Sequence, residues 1–390
     1  MQQGNRVSRV RRPVLFALAG SMTLLGAILA FAYTTYQNDV GEVPPTTISP
    51  EIPGVAVPSR WPNASFTWVL DNPGTPPGNV DTTDGTDPLP LQTALVNSAN
   101  AWAKGLLNGQ QLTNLTITNG SDVANLPNPQ VDCTNVVTFN DNNATDFPTG
   151  TESVAFTTVT TDYVRVGPPQ TPGTIYKFTE CNTQETITTT SPAIVFDADI
   201  AFNPHVEFST STPPLSGAFD LPSVAAHEFG HALGLDHSGI AHAVMFPAGD
   251  TGESQQRTLA TDDLIGISFL YPSSNFSSYM GAISGQVTFA NVGGVYAAHV
   301  VAIDATSGSV VVDGLANTNG SYTLYVPPGS YSVLVLPLAP DDNHGIYSLS
   351  DFSGWTCGYD QSAPPCCNPG NGQCIGSPIT NPTNFTGTYY

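Results

Sequence analysis

The sequence predicts an α+β domain followed by a small all-β domain, and three observations lead to this. Strand-like and helix-like segments alternate irregularly up to about residue 271, and only short alternating strands follow. Glycine and proline number 36 and 34 among 390 residues, and 10% of the residues are charged. This composition disfavours coiled coils and long helical bundles, and the length allows two domains that each bury a core.

The charge balance excludes two classes of function. The chain has 31 acidic and 9 basic residues, for a formal net charge of −22. The four arginines at positions 6, 9, 11 and 12 lie before the first long apolar run. Because no basic stripe remains to neutralise phosphates, the composition argues against nucleic-acid binding and against binding to an anionic membrane surface.

The N-terminus has the pattern of an export signal. Four arginines precede Val14–Ala32, an uncharged run that ends in Ala30-Phe31-Ala32, a small-x-small cleavage pattern. Residues 1–32 are therefore predicted to be a signal peptide, or a signal anchor, since the run is long enough to span a bilayer. Either alternative places the rest of the chain outside the cytoplasm or in the cell envelope, with membrane contact only if the segment is retained.

The six cysteines agree with an oxidising compartment: Cys133, Cys181, Cys357, Cys366, Cys367 and Cys374. We expect one central disulfide and two C-terminal ones, with the pairing inside the C-terminal cluster left open. A small zinc knot is the alternative for the last four, but they lack a pair of C-x-x-C units.

The elements of the first domain follow in order from periodicity and turn residues. Residues 33–60 are a Pro-rich linker. Strands are predicted at 65–70, 115–117, 136–139, 153–160 and 194–202. Helices are predicted from Leu91 to Leu106, from about Pro222 to Leu233 with Asp220 as the cap, and over Thr261–Leu270 with Thr261 as the cap.

Beyond Ser273 the chain changes character. Short alternating strands are predicted at 283–289, 300–304, 310–313, 322–326 and 331–336, with strong turn signals between them. These predict a separate β-sandwich over residues 281–340, followed by a Cys-rich tail over 341–390.

One cluster of residues indicates metal chemistry. His227 and His231 are four apart, so on a helix both imidazoles project from one face towards one ion. Gly234 can end the helix in a left-handed conformation and return His237 as a third ligand. Three neutral nitrogens with an open fourth position are typical of catalytic zinc, and Glu228 can then act as the general base towards the metal-bound water. The alternative, a chance pattern of solvated or core histidines, does not explain three of seven histidines within eleven residues.

This segment resembles the zinc-binding consensus of the metzincin metalloproteases, and Ser238 directly after His237 is similar to the matrixin branch. The departures described below make the chain resemble a minimal matrixin of bacterial type. Ala243–Pro247 is placed like that family's Met-turn, with Met245 beneath the zinc. The segment from Leu259 to Tyr271 is similar to the family's last catalytic helix, whose Asp262 and Asp263 would tie it to the chain start and the Met-turn.

The resemblance implies a metzincin catalytic domain over residues 61–272, with a twisted mixed sheet and three helices. It also implies one catalytic zinc on His227, His231 and His237, with Glu228 as the catalytic base. Extended polypeptide substrates would pair with an edge strand, beside a largely apolar pocket walled by residues 246–259. The chain is expected to act as a monomer.

The chain departs from the family in several places. No cysteine precedes Cys133, so the propeptide cysteine that keeps vertebrate relatives latent has no counterpart. The family also has a structural zinc site and a glycine-rich calcium loop, expected here between Asn203 and Asp220. Neither has a clear counterpart in this sequence, and His205 alone cannot build the structural zinc site.

Other polar residues have two interpretations each. Asp81, Asp84 and Asp87 offer hard oxygens for Ca²⁺, but they also fit a solvated acidic loop that lacks the spacing of an EF-hand. His242, His299 and His344 are expected to be surface or hydrogen-bonded histidines rather than ligands.

The C-terminal strands resemble the carboxypeptidase regulatory-like (transthyretin-like) β-sandwich over residues 282–337, through a repeated Gly-x-Tyr turn-and-strand unit. A stability or spacing role and an adhesive role both remain open for it. The sequence as a whole predicts a secreted zinc-dependent endopeptidase. The alternative is a surface adhesion or structural protein with an inactive protease-like domain, against which the intact Glu228 argues.

Overall fold

The structure is a computed structural model, and not every residue in it is described. It describes residues 10–18, 37–39, 56–71, 77–123, 129–140, 146–148, 153–163, 174–179, 187–289, 293–295, 298–316, 320–336 and 388–389.

Four α-helices, two 3-10 helices (Pro62–Ala64 and Gln255–Arg257) and 22 strands are assigned in the described residues. The helices are α1 Leu91–Lys104, α2 Leu221–Ala232, α3 Thr261–Leu270 and α4 Phe276–Tyr279. The first strands are β1 Val10–Leu18, β2 Gln37–Asp39, β3 Ala56–Pro58, β4 Ser65–Leu70, β5 Val80–Asp81, β6 Thr116–Asn119, β7 Val136–Thr138, β8 Ser153–Tyr163, β9 Tyr176–Phe178, β10 Ile187–Thr189, β11 Ala193–Phe202, β12 Phe208–Ser209, β13 Phe219–Asp220 and β14 Ala248–Gly249. The last strands are β15 Gly281–Gln286, β16 Thr288–Phe289, β17 Gly293–Gly294, β18 His299–Asp304, β19 Val310–Leu315, β20 Ser321–Val326, β21 Tyr331–Leu336 and β22 Thr388–Tyr389.

A mixed sheet forms the centre of the first domain. Its strand order is β14-β1-β8-β11-β7-β4-β6. The strands β11, β7, β4 and β6 run parallel, whereas β8 is antiparallel to β11. This mixed sheet, with three helices of ten or more residues, is compatible with the predicted catalytic-domain architecture.

The helices α1 and α2 share one aromatic core with the sheet. Its large buried members include Phe66, Trp68, Trp102, Phe202 and Phe229. Trp102 Nε1 in α1 donates to Ala226 O in α2 at 2.8 Å, so the indole satisfies its polar atom while it fills the core. This bond fixes the position of α2 relative to α1. Helix α2 carries two of the predicted ligands.

The N-terminal segment supplies one strand of the sheet. The backbone of β1 pairs antiparallel with β8 and parallel with β14. The remaining residues of the predicted signal and most of the 33–60 linker lie outside the described residues, so their assignment stays a prediction. In the part of the chain that is described, no helix is long and apolar enough to cross a membrane.

The C-terminal strands β15–β21 form the unit that we term the C-terminal module, residues 281–336. The sequence predicted a separate domain here, but the module shares a hydrophobic core with the first domain. That core includes Leu107, Leu112 and Ile265 from the first domain. The short helix α4, which the sequence did not predict, lies between α3 and the module. The sandwich type stays a prediction, and the Cys-rich tail lies outside the described residues, apart from 388–389.

Two further predictions concern the cysteines and the acidic loop. Of the six cysteines only Cys133 lies in the described residues, so the disulfide pairing stays a prediction. In the acidic loop, Asp81 Oδ1 accepts hydrogen bonds from Thr83 N and Asp84 N, each at 2.9 Å. These bonds lower the pKa of Asp81 and hold a turn, while calcium binding by the loop stays a prediction.

Candidate metal centre

The helix α2 presents the predicted ligands from inside the protein. Asp220 caps it as predicted, because Asp220 Oδ2 accepts from Ser223 N at 3.0 Å and from Ser223 Oγ at 2.6 Å. Every residue of α2 is buried. His227 and His231 are therefore desolvated, and burial lowers the pKa of His227 to about 4 and that of His231 well below its ordinary value.

Hydrogen bonds select the tautomer of both helical histidines. His227 Nδ1 lies 2.7 Å from Val244 O, and His231 Nδ1 lies 2.9 Å from Leu235 O. Since a carbonyl can only accept, each Nδ1 carries the proton and each Nε2 exposes a lone pair. The two Nε2 atoms face each other at 3.0 Å, an arrangement that a cation between them would stabilise.

The chain after α2 brings in the third histidine by the predicted turn. Gly234 has φ +100°, Gly234 N donates to His231 O at 2.8 Å, and Leu235 N donates to Gly230 O at 3.0 Å. This is the Schellman pattern that ends a helix with a left-handed glycine. His237 then lies with its ring centroid 5.3 Å from that of His227 and 5.0 Å from that of His231.

The three imidazoles form one group of potential metal ligands. One ligand atom from each histidine lies within 4.8 Å of the other two, and all three residues are buried. No fourth histidine, cysteine or carboxylate belongs to this group among the described residues. Three buried neutral nitrogens fit a zinc-type cation, and His205 and His242 lie outside the group.

Glu228, the residue after His227, is buried. One of its carboxylate oxygens accepts a hydrogen bond, and the other has no partner. Thr157 Oγ1, in strand β8, donates to Glu228 Oε2 at 2.5 Å. Glu228 Oε1 has no hydrogen-bond partner, although it is buried. Burial raises the pKa of Glu228 to about 8, while the Thr157 bond acts in the opposite direction. The sequence did not predict Thr157, because its contact joins residues 71 positions apart.

Met245 packs against α2 at Gly230, which lies between His227 and His231 in the sequence, and its role as the base beneath a zinc ion stays a prediction. It is 2% exposed, and a Cβ placed on Gly230 would lie 2.2 Å from Met245 Sδ. The glycine therefore lets the methionine pack directly under the turn of α2 between His227 and His231. Asp263 holds this segment, since its carboxylate accepts from Val244 N at 2.8 Å and Met245 N at 3.1 Å.

Asp262 and Asp263 were predicted together to tie α3 to the chain start and the Met-turn, and of these two contacts only the one to the Met-turn, made by Asp263, is observed. Asp262 does not contact the start of the domain; its carboxylate accepts from Ser238 Oγ at 2.6 Å and from Asp313 N at 3.3 Å. The domain start is tied to the end of α3 by a different bond, from Trp61 N to Tyr271 Oη at 3.1 Å. Burial and the neighbouring carboxylates of Asp313 and Asp263 raise the pKa of Asp262 well above its ordinary value. The cap of α3 is also Ala260 rather than Thr261.

A small cavity lies next to helix α2. It has a volume of about 50 Å³, and its walls come from the start of α2 and from the segment after Met245. Ser223 and Val224, one helical turn before His227, form one side. The other side includes Ala248 together with Asp250 and Glu253. The walls match the predicted pocket, but they are more polar than expected.

Comparisons with known proteins agree with this geometry. The matrixin family model, Peptidase_M10, matches residues 176–272, a segment that contains all three histidines. Metalloendoproteinase 2-MMP of Arabidopsis thaliana is 37% identical over 114 residues, 29% of this chain and 29% of that protein. Metalloendoproteinase 1 of Glycine max is 43% identical over 76 residues, 20% of this chain and 24% of that protein.

The human relative is similar over a shorter segment. Matrix metalloproteinase-27 of Homo sapiens is 49% identical over 53 residues, 14% of this chain and 10% of that protein. The chain thus spans less than a third of the length of each of these relatives. Within that span, the likenesses and the histidine geometry support a metzincin-like metalloprotease domain.

Proposed function

We propose that the protein is a secreted zinc-dependent endopeptidase. One observation carries the proposal: three buried histidine ligand atoms converge within 4.8 Å, next to a buried carboxylate oxygen of Glu228 that has no partner. A buried polar atom without a partner is costly, so it is retained where it meets a ligand or substrate atom.

The donor set favours zinc at this place. Zinc binds neutral imidazole nitrogens readily, and catalytic zinc sites use three protein ligands with one position left for water or substrate. When bound, the ion would act as a Lewis acid and lower the pKa of a coordinated water. His227 and His231 need lose no proton to bind it, because their Nδ1–H groups are already committed to backbone carbonyls.

Glu228 is the proposed general base. Thr157 fixes Oε2, so that Oε1 is the oxygen available for proton transfer. In peptide hydrolysis Oε1 would accept a proton from the attacking water and later deliver it to the leaving amine.

The strand pairing beside α2 supports a polypeptide substrate. Strand β8 carries Thr157, and on the side away from β11 it pairs with the extended backbone of β1, which lies within the predicted signal segment. An extended substrate would use the same backbone groups by β-augmentation, which recognises peptides independently of most side chains. The export-type N-terminus supports secretion and extracellular substrates for a monomeric enzyme.

The test combines metal content with proteolysis. Purified protein should contain one zinc per chain and cleave casein or gelatin. A chelator should abolish cleavage, and added zinc should restore it. Glu228→Ala should retain zinc but lose at least about a hundredfold in cleavage rate. Zinc-loaded wild-type protein that cleaves no polypeptide would refute the proposal and favour the adhesive alternative.

A further inference from the structure

The C-terminal module contacts the chain immediately after the third histidine. Gly239, two residues beyond His237, donates its backbone N–H to Asp313 Oδ2 in β19 at 3.0 Å. The module therefore hydrogen-bonds to the loop that delivers a metal ligand, although the two residues are 74 positions apart in sequence.

The contact is close and specific. A Cβ placed on Gly239 would lie 2.3 Å from Asp313 Oδ2 and 3.1 Å from His299 Nε2. Only glycine permits this approach of the module. Asp313 is 2% exposed, so its bonds are not exchanged readily for bonds to water.

Two further bonds hold Asp313 in place. His299 Nε2, in the neighbouring strand β18, lies 2.7 Å from Asp313 Oδ2. Asp313 N donates to Asp262 Oδ1 at 3.3 Å, and Asp262 Oδ2 accepts from Ser238 Oγ at 2.6 Å. Both residues that follow His237 are therefore bonded to this carboxylate network.

Apolar packing supports the same interface. Ile265 of α3 is fully buried in the core that it shares with the module. Phe269 of α3 stacks near Tyr325 of β20 at 5.5 Å between ring centroids. The module therefore packs on the helix that carries Asp262.

We propose that Asp313, oriented by His299, is a positioning residue for the metal centre, and that the C-terminal module is a structural support of the third ligand. The inference rests on the proposed zinc-dependent function. Between Gly234 and Met245 the chain has no regular secondary structure, so its conformation depends on such side-chain anchors. An anchored loop presents His237 in its binding position, and loss of supporting partners of this kind lowers metal affinity about 10–100-fold.

The experiment uses the full-length protein and compares Asp313→Ala with Asp304→Ala. Asp304 lies at the far end of β18, where its carboxylate holds a hairpin turn through Ser307 N at 2.7 Å. Both variants lose a carboxylate from the same module, but only the first loses the contact to Gly239. Zinc affinity is measured by competition with a chromophoric chelator, and thermal unfolding reports on folding.

We expect Asp313→Ala to bind zinc about tenfold more weakly, with an altered visible spectrum in the cobalt-substituted protein. Asp304→Ala should match the wild type in both. A second pair guards against simple unfolding: His299→Gln keeps a donor to Asp313 and should retain affinity, whereas His299→Ala should lower it.

The outcomes separate the two proposals. Wild-type protein that binds no zinc would refute the proposed function. Wild-type protein that binds zinc and cleaves polypeptides, with Asp313→Ala indistinguishable from Asp304→Ala in affinity and spectrum, would overturn the positioning role alone.

Discussion

Two neighbouring groups of buried polar side chains differ in how completely they are hydrogen-bonded. The first, the histidine centre, comprises His227, His231, His237 and Glu228. The second, the carboxylate belt, comprises Asp262, Asp263 and Asp313. In the belt the carboxylates accept hydrogen bonds from backbone or hydroxyl groups. In the centre, Glu228 Oε1 has no partner, and two imidazole nitrogens face each other at 3.0 Å.

This difference indicates which group stabilises the fold and which group is suited to bind a ligand. Buried polar groups with complete hydrogen bonding rigidify a structure, whereas groups left incomplete mark a place for a ligand. The belt should therefore determine stability and loop position, and the centre should determine metal binding and catalysis. Each prediction below tests one side of this division.

The largest effect is expected in the belt, at Asp263. Its carboxylate accepts from Val244 N at 2.8 Å, Met245 N at 3.1 Å and Ala260 N at 2.7 Å. Asp263→Ala leaves all three donors without this acceptor and should lower the free energy of unfolding by roughly 4 kcal/mol, measured by urea denaturation. Asp263→Asn keeps one acceptor oxygen and should lose about half as much. Equal stability of the alanine variant and the wild type would contradict a supporting role for the belt.

A smaller but measurable loss of stability is expected from a substitution at Gly230, where α2 packs against Met245. A Cβ on Gly230 would lie 2.2 Å from Met245 Sδ and 2.7 Å from Trp102 Cζ2. Gly230→Ala should therefore cost about 2 kcal/mol of unfolding free energy, because overpacking exceeds the gain in helix propensity. Gly78→Ala is the matched control, since a Cβ there meets nothing within 4 Å. If both variants unfold alike, Met245 does not pack tightly beneath the ligands.

The sequence predicted the histidine centre because its information is local. The four-residue spacing of His227 and His231, the cap at Asp220 and the turn at Gly234 depend on helix geometry within eighteen residues. The structure confirms each of these three features. Strand β4 was predicted with its observed bounds for the same reason, since alternation is also a local pattern.

The belt was not predictable in the same way. Asp262 and Asp263 were expected together to tie α3 to the chain start and the Met-turn, but the observed partners of Asp262 include Asp313, 51 positions away in the module. Thr157 is one of several threonines in β8, and no local pattern distinguishes it from the others. Such contacts depend on how the module and the helices pack together, which periodicity and spacing do not encode.

Asp199 is a buried carboxylate that belongs to neither group. It tests whether a hydrogen-bonded acid affects the stability of the protein without affecting cleavage. Burial, with Asp197 nearby, raises the pKa of Asp199 to about 8, although Val136 N and Gln130 N donate to it. Between pH 4 and 8 the folded protein then holds a proton that the unfolded chain has released. Stability should therefore fall as pH rises through this window and level off above it.

Asp199→Asn removes this titration. Its unfolding free energy should depend less steeply on pH than that of the wild type, by at most about 1.4 kcal/mol per pH unit. Denaturation at pH 5, 6 and 7 measures the difference, and polypeptide cleavage at a fixed pH should remain unchanged. Identical pH slopes in the two proteins would show that Asp199 is ionised throughout.

The smallest effect is expected at Thr157, which hydrogen-bonds to Glu228, a carboxylate with one bonded oxygen and one without a partner. The Thr157 hydroxyl satisfies one oxygen of Glu228 at 2.5 Å, and the other oxygen is buried without a partner. Thr157→Val keeps the shape but removes the donor, so the carboxylate can rotate and its reactive oxygen is less well placed. We expect kcat/KM for a peptide substrate to fall about fivefold, equivalent to about 1 kcal/mol, with zinc content unchanged. Thr157→Ser retains the hydroxyl and should stay close to the wild type. A valine variant with full activity would mean that Glu228 is oriented by its own packing, and that the hydrogen bond serves stability alone.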